Sequence, residues 1–204
     1  MPGQAELCLL SATQILSLLK DNVVTVEDYA RSLLHRIDQR NNIVKAWAYL
    51  DMPTEFACSL YQGNQPTLDS SAVSILRNAG ALIFGKTTTP ELTWLNRSPK
   101  TTNPHDVTRT PGGSSTGSAA AVADFQVPLS IGTQTGGSLI RPASYTGIFA
   151  MKPTYNAIPL EGQKICSISL DTLGFFSRSV EDLQLLADVF SLKDAHPLLT
   201  RPYP

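Results

Sequence analysis

The sequence predicts an α/β protein in which a mixed or parallel sheet is covered by helices. Segments with helical apolar periodicity alternate along the chain with short apolar runs that are typical of buried strands. Most of the helical segments begin at a Ser, Thr or Asp that can cap them. This alternation favours helices packed on the faces of one sheet, and a length of 204 residues predicts a single domain.

The first part of the chain is predicted to be helical. A short helix over residues 15–19 precedes a longer one that begins at Thr25, with Asp28 in a capping-box-like position. The longer helix carries an apolar stripe made of Val26, Tyr29, Ala30, Leu33, Leu34 and Ile37. After it, the run IVKAWAYL (43–50) predicts a strand.

The middle of the chain begins with a proline-containing loop over residues 52–67. Asp69 or Ser70 then caps a helix that ends at Gly80. The run ALIFG (81–85) follows directly, and it predicts a buried strand that ends at Lys86.

The last part is predicted to contain an alanine-rich helix, two buried strands and a final helix. The helix covers residues 115–125, and its small side chains allow close packing. The strands cover residues 127–133 and 147–151. Ser179 with Asp182 opens the final helix, whose apolar residues are Leu183, Leu186, Ala187 and Phe190.

Composition excludes several classes of function. Lys and Arg total 16 against 17 Asp and Glu, which gives a net charge of −1. A protein with this charge has no strong positive electrostatic field to attract nucleic acid or an anionic membrane. The apolar run at 7–10 is too short for a signal peptide, and no run is long enough to span a membrane, which predicts a cytoplasmic protein. The three cysteines form neither a disulfide pattern nor a Cys/His cluster, so we predict no metal and no cofactor.

Two Gly-Gly-Ser turns stand out, in TPGGSSTGSAAAVADF (110–125) and IGTQTGGSLIRPA (131–143). Tight-turn geometry alone would explain the glycines. A phosphate-binding loop is disfavoured because its lysine-containing motif is absent. The run GSSTG places Ser115 at the centre of a nucleophile-elbow pattern, but the preceding residues are polar and include Pro111 rather than forming a buried strand.

The second turn suits a different chemistry. Attack on an amide builds negative charge on its carbonyl oxygen, and backbone N–H groups at Thr135, Gly136, Gly137 and Ser138 could be aimed at that oxygen. A serine hydroxyl in such a loop would be a nucleophile only with a proton acceptor within reach.

Residues 109–154, RTPGGSSTGSAAAVADFQVPLSIGTQTGGSLIRPASYTGIFAMKPT, resemble the amidase signature family. The resemblance continues in LIFGKTTTPEL, NPHD and SLDTLGFFSRSVEDLQLLADVF. Members of that family hydrolyse carboxamides through a Ser, cis-Ser, Lys triad without a cofactor. The resemblance therefore implies an amidase-type mixed sheet and a small-molecule amide substrate. It also implies Ser138 as the acyl-forming nucleophile, Ser114 as the bridging serine and residues 135–138 as the oxyanion hole.

The resemblance is incomplete at the proton acceptor. The family's lysine lies in a segment of the form PLxGxPxxVKD, and this chain has no such segment, which predicts an internal deletion near residues 51–53. Lys86 matches the family's second lysine, in GKT, which is not the proton acceptor. Lys45 is the other candidate, and a solvated strand lysine is its simpler interpretation.

A second departure concerns the loop itself. Where the family often has GTDTGGSIR, this chain has Gln134 in place of the Asp and carries the Arg one position later, at Arg141. Because a buried charge left unpaired is costly, we expect the two changes to be coordinated.

Two functional hypotheses follow. In the first, the chain is an amidase in which Ser138 attacks the carboxamide and Ser114 relays the proton. In the second, it is a catalytically impaired or inactive amidase-like protein, or an interaction protein, because the lysine segment is missing. In either case residues 1–204 are expected to form one partial domain relative to the family. Uncovered edges at 81–84 and 127–131 would then favour self-association.

Overall fold

The computed structural model describes residues 4–50, 53–94 and 100–192. Within these ranges it contains six α-helices and five strands. The helices are α1 (Ala12–Lys20), α2 (Val26–Val44), α3 (Ser71–Asn78), α4 (Thr116–Ala123), α5 (Ile140–Thr146) and α6 (Val180–Val189). The strands are β1 (Trp47–Tyr49), β2 (Lys86–Thr87), β3 (Leu129–Gln134), β4 (Phe149–Met151) and β5 (Thr172–Ser177). Short 3₁₀ turns lie at Gln4–Leu9, Ser59–Tyr61 and Glu91–Thr93. The predicted deletion point at 51–53 lies largely outside the described residues, because Asp51 and Met52 are not among them.

The capped helices form where the sequence predicts them. Ser11 and Gln14 make a reciprocal capping box at the start of α1, the Thr25 hydroxyl caps α2, and Ser70 caps α3. The α2 stripe is buried at Tyr29, Leu33 and Ile37, but its margins at Val26 and Leu34 are exposed.

The strand predicted over residues 43–50 is shorter than expected. Helix α2 continues to Val44 and ends at Lys45, which adopts the left-handed conformation with φ of 54°. Only Trp47–Tyr49 remain as strand, and they pair with β2 in a two-stranded antiparallel sheet.

The prediction of a buried strand over residues 81–85 is wrong. These residues are irregular, Leu82 is 55% exposed, and strand structure starts only at Lys86. Pairing between β1 and β2 covers only Trp47 with Thr87 and Tyr49 with Lys86. An apolar run therefore failed to become a strand because no neighbour pairs with it in the part of the chain that the structure describes.

The α/β class is confirmed, although the pairing within the sheet differs from the expectation. The larger sheet has the strand order β3-β5-β4, and both described pairs are antiparallel. Since β3 and β4 each run opposite to β5, they run parallel to each other, with α5 between them in sequence. The expected mixed or parallel pairing is therefore replaced by antiparallel pairing in the described strands. The alternating pattern missed β5, which lies between β3 and β4 and is buried at all six residues.

Helix α4 is the centre of the fold. All eight of its residues are buried. Three of its alanines, Ala119 to Ala121, belong to a core cluster with Val44, Ala46, Leu139 and Phe176. A helix that is apolar on every side is expected only in a protein interior. This confirms the close packing predicted from its small residues.

Buried polar contacts fasten the end of α4 to α2. Asp124, 3% exposed, accepts hydrogen bonds from the Arg40 side chain at 2.8 and 3.0 Å and from Gln126 at 2.9 Å. Arg36 donates to the Asp124 carbonyl oxygen at 2.8 Å. The carboxylate is therefore paired by cations, as a buried charge requires.

None of the helices in the described ranges is both long enough and apolar enough to cross a membrane.

The tightest contact of α4 gives a stability prediction. A Cβ atom at Gly117 would lie 2.2 Å from the Ala46 carbonyl oxygen and 2.5 Å from the Thr88 amide nitrogen. Both are backbone atoms that cannot rotate away, so Gly117→Ala should lower the free energy of unfolding by roughly 3 kcal/mol. Urea denaturation measures the change.

Gly136→Ala is the matched control, because a Cβ atom at Gly136 meets nothing within 4 Å. Equal stability of the two variants would show that α4 does not pack as closely as described.

Candidate functional site

The two Gly-Ser turns lie against each other. The Ser115 amide donates to the Ser138 carbonyl oxygen at 3.3 Å. Arg141, in α5, donates through its side chain to the Gly113 carbonyl oxygen at 3.0 and 2.7 Å. One turn leads into α4 and the other into α5, so the packing of these two helices brings the turns together.

Ser114 lies in the first turn and is 3% exposed. The peptide bond between Gly113 and Ser114 is cis. The neighbouring Ser115 has different contacts, because its hydroxyl donates to the Thr133 carbonyl at 3.2 Å and accepts from the Thr133 amide at 3.3 Å. Ser115 therefore binds the backbone of β3, which fits the argument against it as the centre of a nucleophile elbow.

Ser138 ends the second turn and is half-buried, while Gly136 is exposed. Among the described residues, no acceptor receives a hydrogen bond from the amides of Thr135, Gly136, Gly137 or Ser138. The turn therefore offers a run of backbone donors beside a serine hydroxyl, with open space at Gly136. Such donors can stabilise an oxyanion.

Gln134 and Arg141 each bind one of the two turns. The Gln134 side-chain oxygen accepts from the Leu139 amide at 2.9 Å and from the Ile140 amide at 3.1 Å. Arg141 binds the Gly113 carbonyl and forms no ion pair within the described residues. An aspartate at buried position 134 would be left without a cation, because Arg141 binds the Gly113 carbonyl instead. The neutral Gln134 avoids the cost of that unpaired charge, as expected if the two changes are coordinated.

Neither candidate lysine is hydrogen-bonded to Ser114 or Ser138 in the part of the chain that the structure describes. Lys86 is half-buried in β2, and burial lowers the pKa of its ammonium, although Asp69 acts in the opposite direction. Lys45 is exposed at the end of α2. No lysine within the described ranges forms a hydrogen bond with Ser114 or Ser138.

The Lys86 segment nevertheless packs on α4. The Thr87 and Ser118 hydroxyls are 2.8 Å apart, and the Gly117 amide donates to the Thr88 carbonyl oxygen at 2.9 Å. The strand that carries Lys86 therefore packs beside α4.

Asp171 is a residue of this site that the sequence pattern does not reveal. It directly precedes β5, and its carboxylate accepts a hydrogen bond from the Thr135 hydroxyl at the start of the second turn. Predicting β5 would have exposed this contact, because the last ladder pair, Gln134 with Thr172, brings the two neighbouring residues together.

A cavity of about 580 Å³ lies elsewhere, between α1, the end of α4 and the start of α6. His105, Phe125 and Arg178 line it, whereas Ser114 and Ser138 do not. Arg178 donates there to the carbonyls of Cys8, Leu10, Val122 and Val127. The guanidinium thus joins backbone segments, which is a structural role.

A model of the family described as Amidase matches residues 44–204. The chain belongs to the amidase family. It is 41% identical over 149 residues to the A subunit of the glutamyl-tRNA(Gln) amidotransferase of Natranaerobius thermophilus, covering 71% of this chain and 30% of the relative. It is 44% identical over 140 residues to the equivalent protein of Acidothermus cellulolyticus, covering 66% of this chain and 28% of that one.

Solved structures confirm the amidase fold. A structure described as a crystal structure of amidase matches with a TM-score of 0.78 and 29% identity, over 89% of this chain and 52% of the other. The A subunit of the glutamyl-tRNA(Gln) amidotransferase of Thermotoga maritima matches with a TM-score of 0.71 and 27% identity. This match covers 78% of this chain and 42% of the other. This amidase-family chain thus spans about 30% of the curated relatives and about half of the solved amidase.

The half-buried lysine gives a pH-dependent prediction. Because burial lowers the pKa of Lys86 in the folded state, folding is penalised while the ammonium keeps its proton. The penalty fades as the pH rises through the folded pKa towards the ordinary value of 10.5, so stability should increase over that window. Lys86→Met should raise the melting temperature at pH 7 and flatten this dependence, as measured by thermal denaturation across pH.

Lys45→Met serves as the control, since Lys45 is exposed and should show neither effect. A lower melting temperature for Lys86→Met at pH 7 would mean that the ammonium makes a favourable contact that outweighs its burial.

Proposed function

We propose that the chain carries the nucleophile and oxyanion hole of an amidase that acts on a small-molecule carboxamide. The observation that supports this most is the run of amides at residues 135–138, which have no acceptor among the described residues and lie beside the Ser138 hydroxyl in a turn joined to the Ser114 turn. A near-neutral charge argues against nucleic acid as a partner. Its three free cysteines fit a cytoplasmic location.

The proposed reaction has two stages. The Ser138 hydroxyl oxygen attacks the amide carbon while its proton passes through the Ser114 hydroxyl to a base, and the oxyanion is held by the 135–138 amides. The carbon–nitrogen bond then breaks, the amine leaves with that proton, and an ester to Ser138 remains. Water hydrolyses the ester, which releases the acid and restores the Ser138 hydroxyl.

The proposed reaction lacks an identified proton acceptor for Ser138. A serine hydroxyl is a poor nucleophile without a proton acceptor within hydrogen-bond reach. No lysine among the described residues is hydrogen-bonded to Ser114 or Ser138. The family's PLxGxPxxVKD segment also has no counterpart in the sequence. The same observation favours the second candidate function, a catalytically impaired amidase-like protein kept for interaction.

Labelling by a fluorophosphonate probe tests the nucleophile directly. We expect slow labelling, at least about tenfold below that of an amidase with a complete triad, because Ser138 has oxyanion donors but no matched base. Ser138→Ala should abolish the labelling, and Ser114→Ala should weaken it by breaking the relay. Intact-mass spectrometry over time gives the rates.

Labelling rates of the Lys86→Met and Lys45→Met variants show whether either lysine acts as the base. Loss of labelling in Lys86→Met alone would overturn the argument that this lysine only packs beside α4. Labelling that survives in Ser138→Ala would exclude Ser138 as the nucleophile.

We also propose that the chain self-associates through apolar surface. Leu60 and Ile168 are 88% and 85% exposed, and Leu82 is 55% exposed in the segment where the sequence predicts a strand. Part of β3 packs on α4 instead, because the Thr133 amide donates to the Ser115 hydroxyl and the Ser130 hydroxyl donates to the Ser118 carbonyl of α4. The apolar loops therefore carry this proposal, rather than the 127–131 edge.

Size-exclusion chromatography with light scattering measures the association. Burying apolar surface contributes roughly 25 cal/mol per Å², and association itself costs about 4–15 kcal/mol, so a dimer at micromolar concentration requires an interface of about 1,000 Å² or more. Ile168→Asp with Leu82→Asp should shift the chain towards monomer. A monomeric wild-type protein that unfolds in one sharp transition would contradict the proposal.

A further inference from the structure

The amide-rich turn is held at both ends by side chains. At its end, Gln134 accepts the Leu139 and Ile140 amides. At its start, the Thr135 hydroxyl donates to one carboxylate oxygen of Asp171. Between these anchors the amides of residues 135–138 have no protein acceptor among the described residues. The direction in which those amides point thus depends on the two anchors.

The position of Asp171 follows from strand register. The β3–β5 ladder pairs six residues on each strand and ends with Gln134 opposite Thr172. Thr135 and Asp171 are the next residues outward on the two strands, so they meet just beyond the ladder. A slip of one residue would turn Asp171 to the other face, and the buried ladder prevents that slip.

Asp171 also binds a second segment of the chain. Its other carboxylate oxygen accepts the Cys166 amide at 2.6 Å and the Ser167 amide at 3.0 Å. Each oxygen thus serves a different segment, one the 135–138 turn and the other residues 163–170. Asp171 is 7% exposed, and its carboxylate forms no ion pair with a basic residue in the described ranges.

The carboxylate is ionised at neutral pH. Burial alone would raise the pKa of Asp171, but the hydrogen bonds from Thr135, Ser167 and Cys166 outweigh it and hold the pKa below the ordinary aspartate value. Both oxygens are therefore acceptors, and charge-assisted hydrogen bonds of this kind are stronger than neutral ones.

The second segment is open to contact from outside. Ile168 is 85% exposed and Leu170 is 57% exposed. Two further hydrogen bonds hold the segment to the rest of the protein. The Tyr155 hydroxyl donates to the Ile168 carbonyl, and the Lys164 ammonium donates to the Tyr61 hydroxyl at 2.9 Å. A molecule bound against residues 163–170 would therefore act on a segment that shares Asp171 with the amide-rich turn.

We propose that Asp171 is a positioning residue that orients the 135–138 turn and couples it to residues 163–170. It does not touch the reacting atoms, and its role in catalysis rests on the function proposed above. The structural coupling does not, because the contacts exist whether or not Ser138 reacts.

Hydrogen exchange followed by mass spectrometry tests the coupling without any activity. Asp171→Ala should speed exchange about tenfold or more in peptides that cover 136–140 and 165–168. It removes the acceptor of the Cys166 and Ser167 amides, and it releases the Thr135 end of the turn, which frees the turn that leads to the Gln134-bound Leu139 and Ile140 amides to move. Thr135→Val should speed only the first peptide, since it cuts one link. Thr135→Ser keeps the hydroxyl and should match the wild-type protein.

Asp106→Ala is the matched control, because Asp106 also accepts a threonine hydroxyl and a backbone amide but lies in a separate, exposed turn. It should leave both peptides unchanged. If Asp171→Ala does not fold, Thr135→Val against Thr135→Ser decides the question. Wild-type exchange at 136–140 in Thr135→Val, or in a folded Asp171→Ala, would overturn the proposal.

Probe labelling of the same variants separates this inference from the proposed function. If the wild-type protein is labelled, Thr135→Val should lower the rate at least about tenfold and Thr135→Ser should restore it, because misdirected oxyanion donors lose most of their effect. If the wild-type protein is not labelled at all, the proposed function fails, while the exchange result still decides the role of Asp171.

Discussion

The fold depends on the lack of room around α4. At Gly117 the helix approaches the backbone of Ala46 and Thr88 so closely that even a methyl group would collide. Because Ala119, Ala120 and Ala121 after it are fully buried, α5, β2, β3 and β5 can all pack against one short helix. Close packing of this kind leaves little freedom to shift, so it fixes the start of α4, where the Ser114 turn lies.

The two serine turns are then joined mainly by contacts to backbone atoms. Arg141 binds the Gly113 carbonyl, Ser115 donates to the Ser138 carbonyl, and Gln134 binds the first amides of α5. Backbone partners keep their positions when side chains change, provided that the helices stay in place. This arrangement explains how the chain keeps an amidase-like pair of turns without the aspartate that its family often has in the second one.

The two turns offer backbone amides without acceptors and two serines, but no lysine in the described ranges is hydrogen-bonded to either serine. These two facts are independent in physical terms, because the donors come from backbone geometry and the acceptor must come from a titratable side chain with a suitable pKa. The fold can thus preserve one while the other is absent. In the proposed function, binding of an amide carbonyl and its hydrolysis would therefore be separable.

The sequence by itself determined the local features of the protein. Capping residues and apolar periodicity located α1, α2, α3 and α6, and the glycine-serine motifs identified the family and both turns, since these signals need only neighbouring residues. Tertiary structure decided what depends on distant partners. Residues 81–85 stayed irregular because no strand pairs with them among the described residues, while β5 formed because β3 and β4 lie on either side of it. The Asp171–Thr135 contact follows from that register, which joins residues 36 positions apart and leaves no periodic trace in either segment.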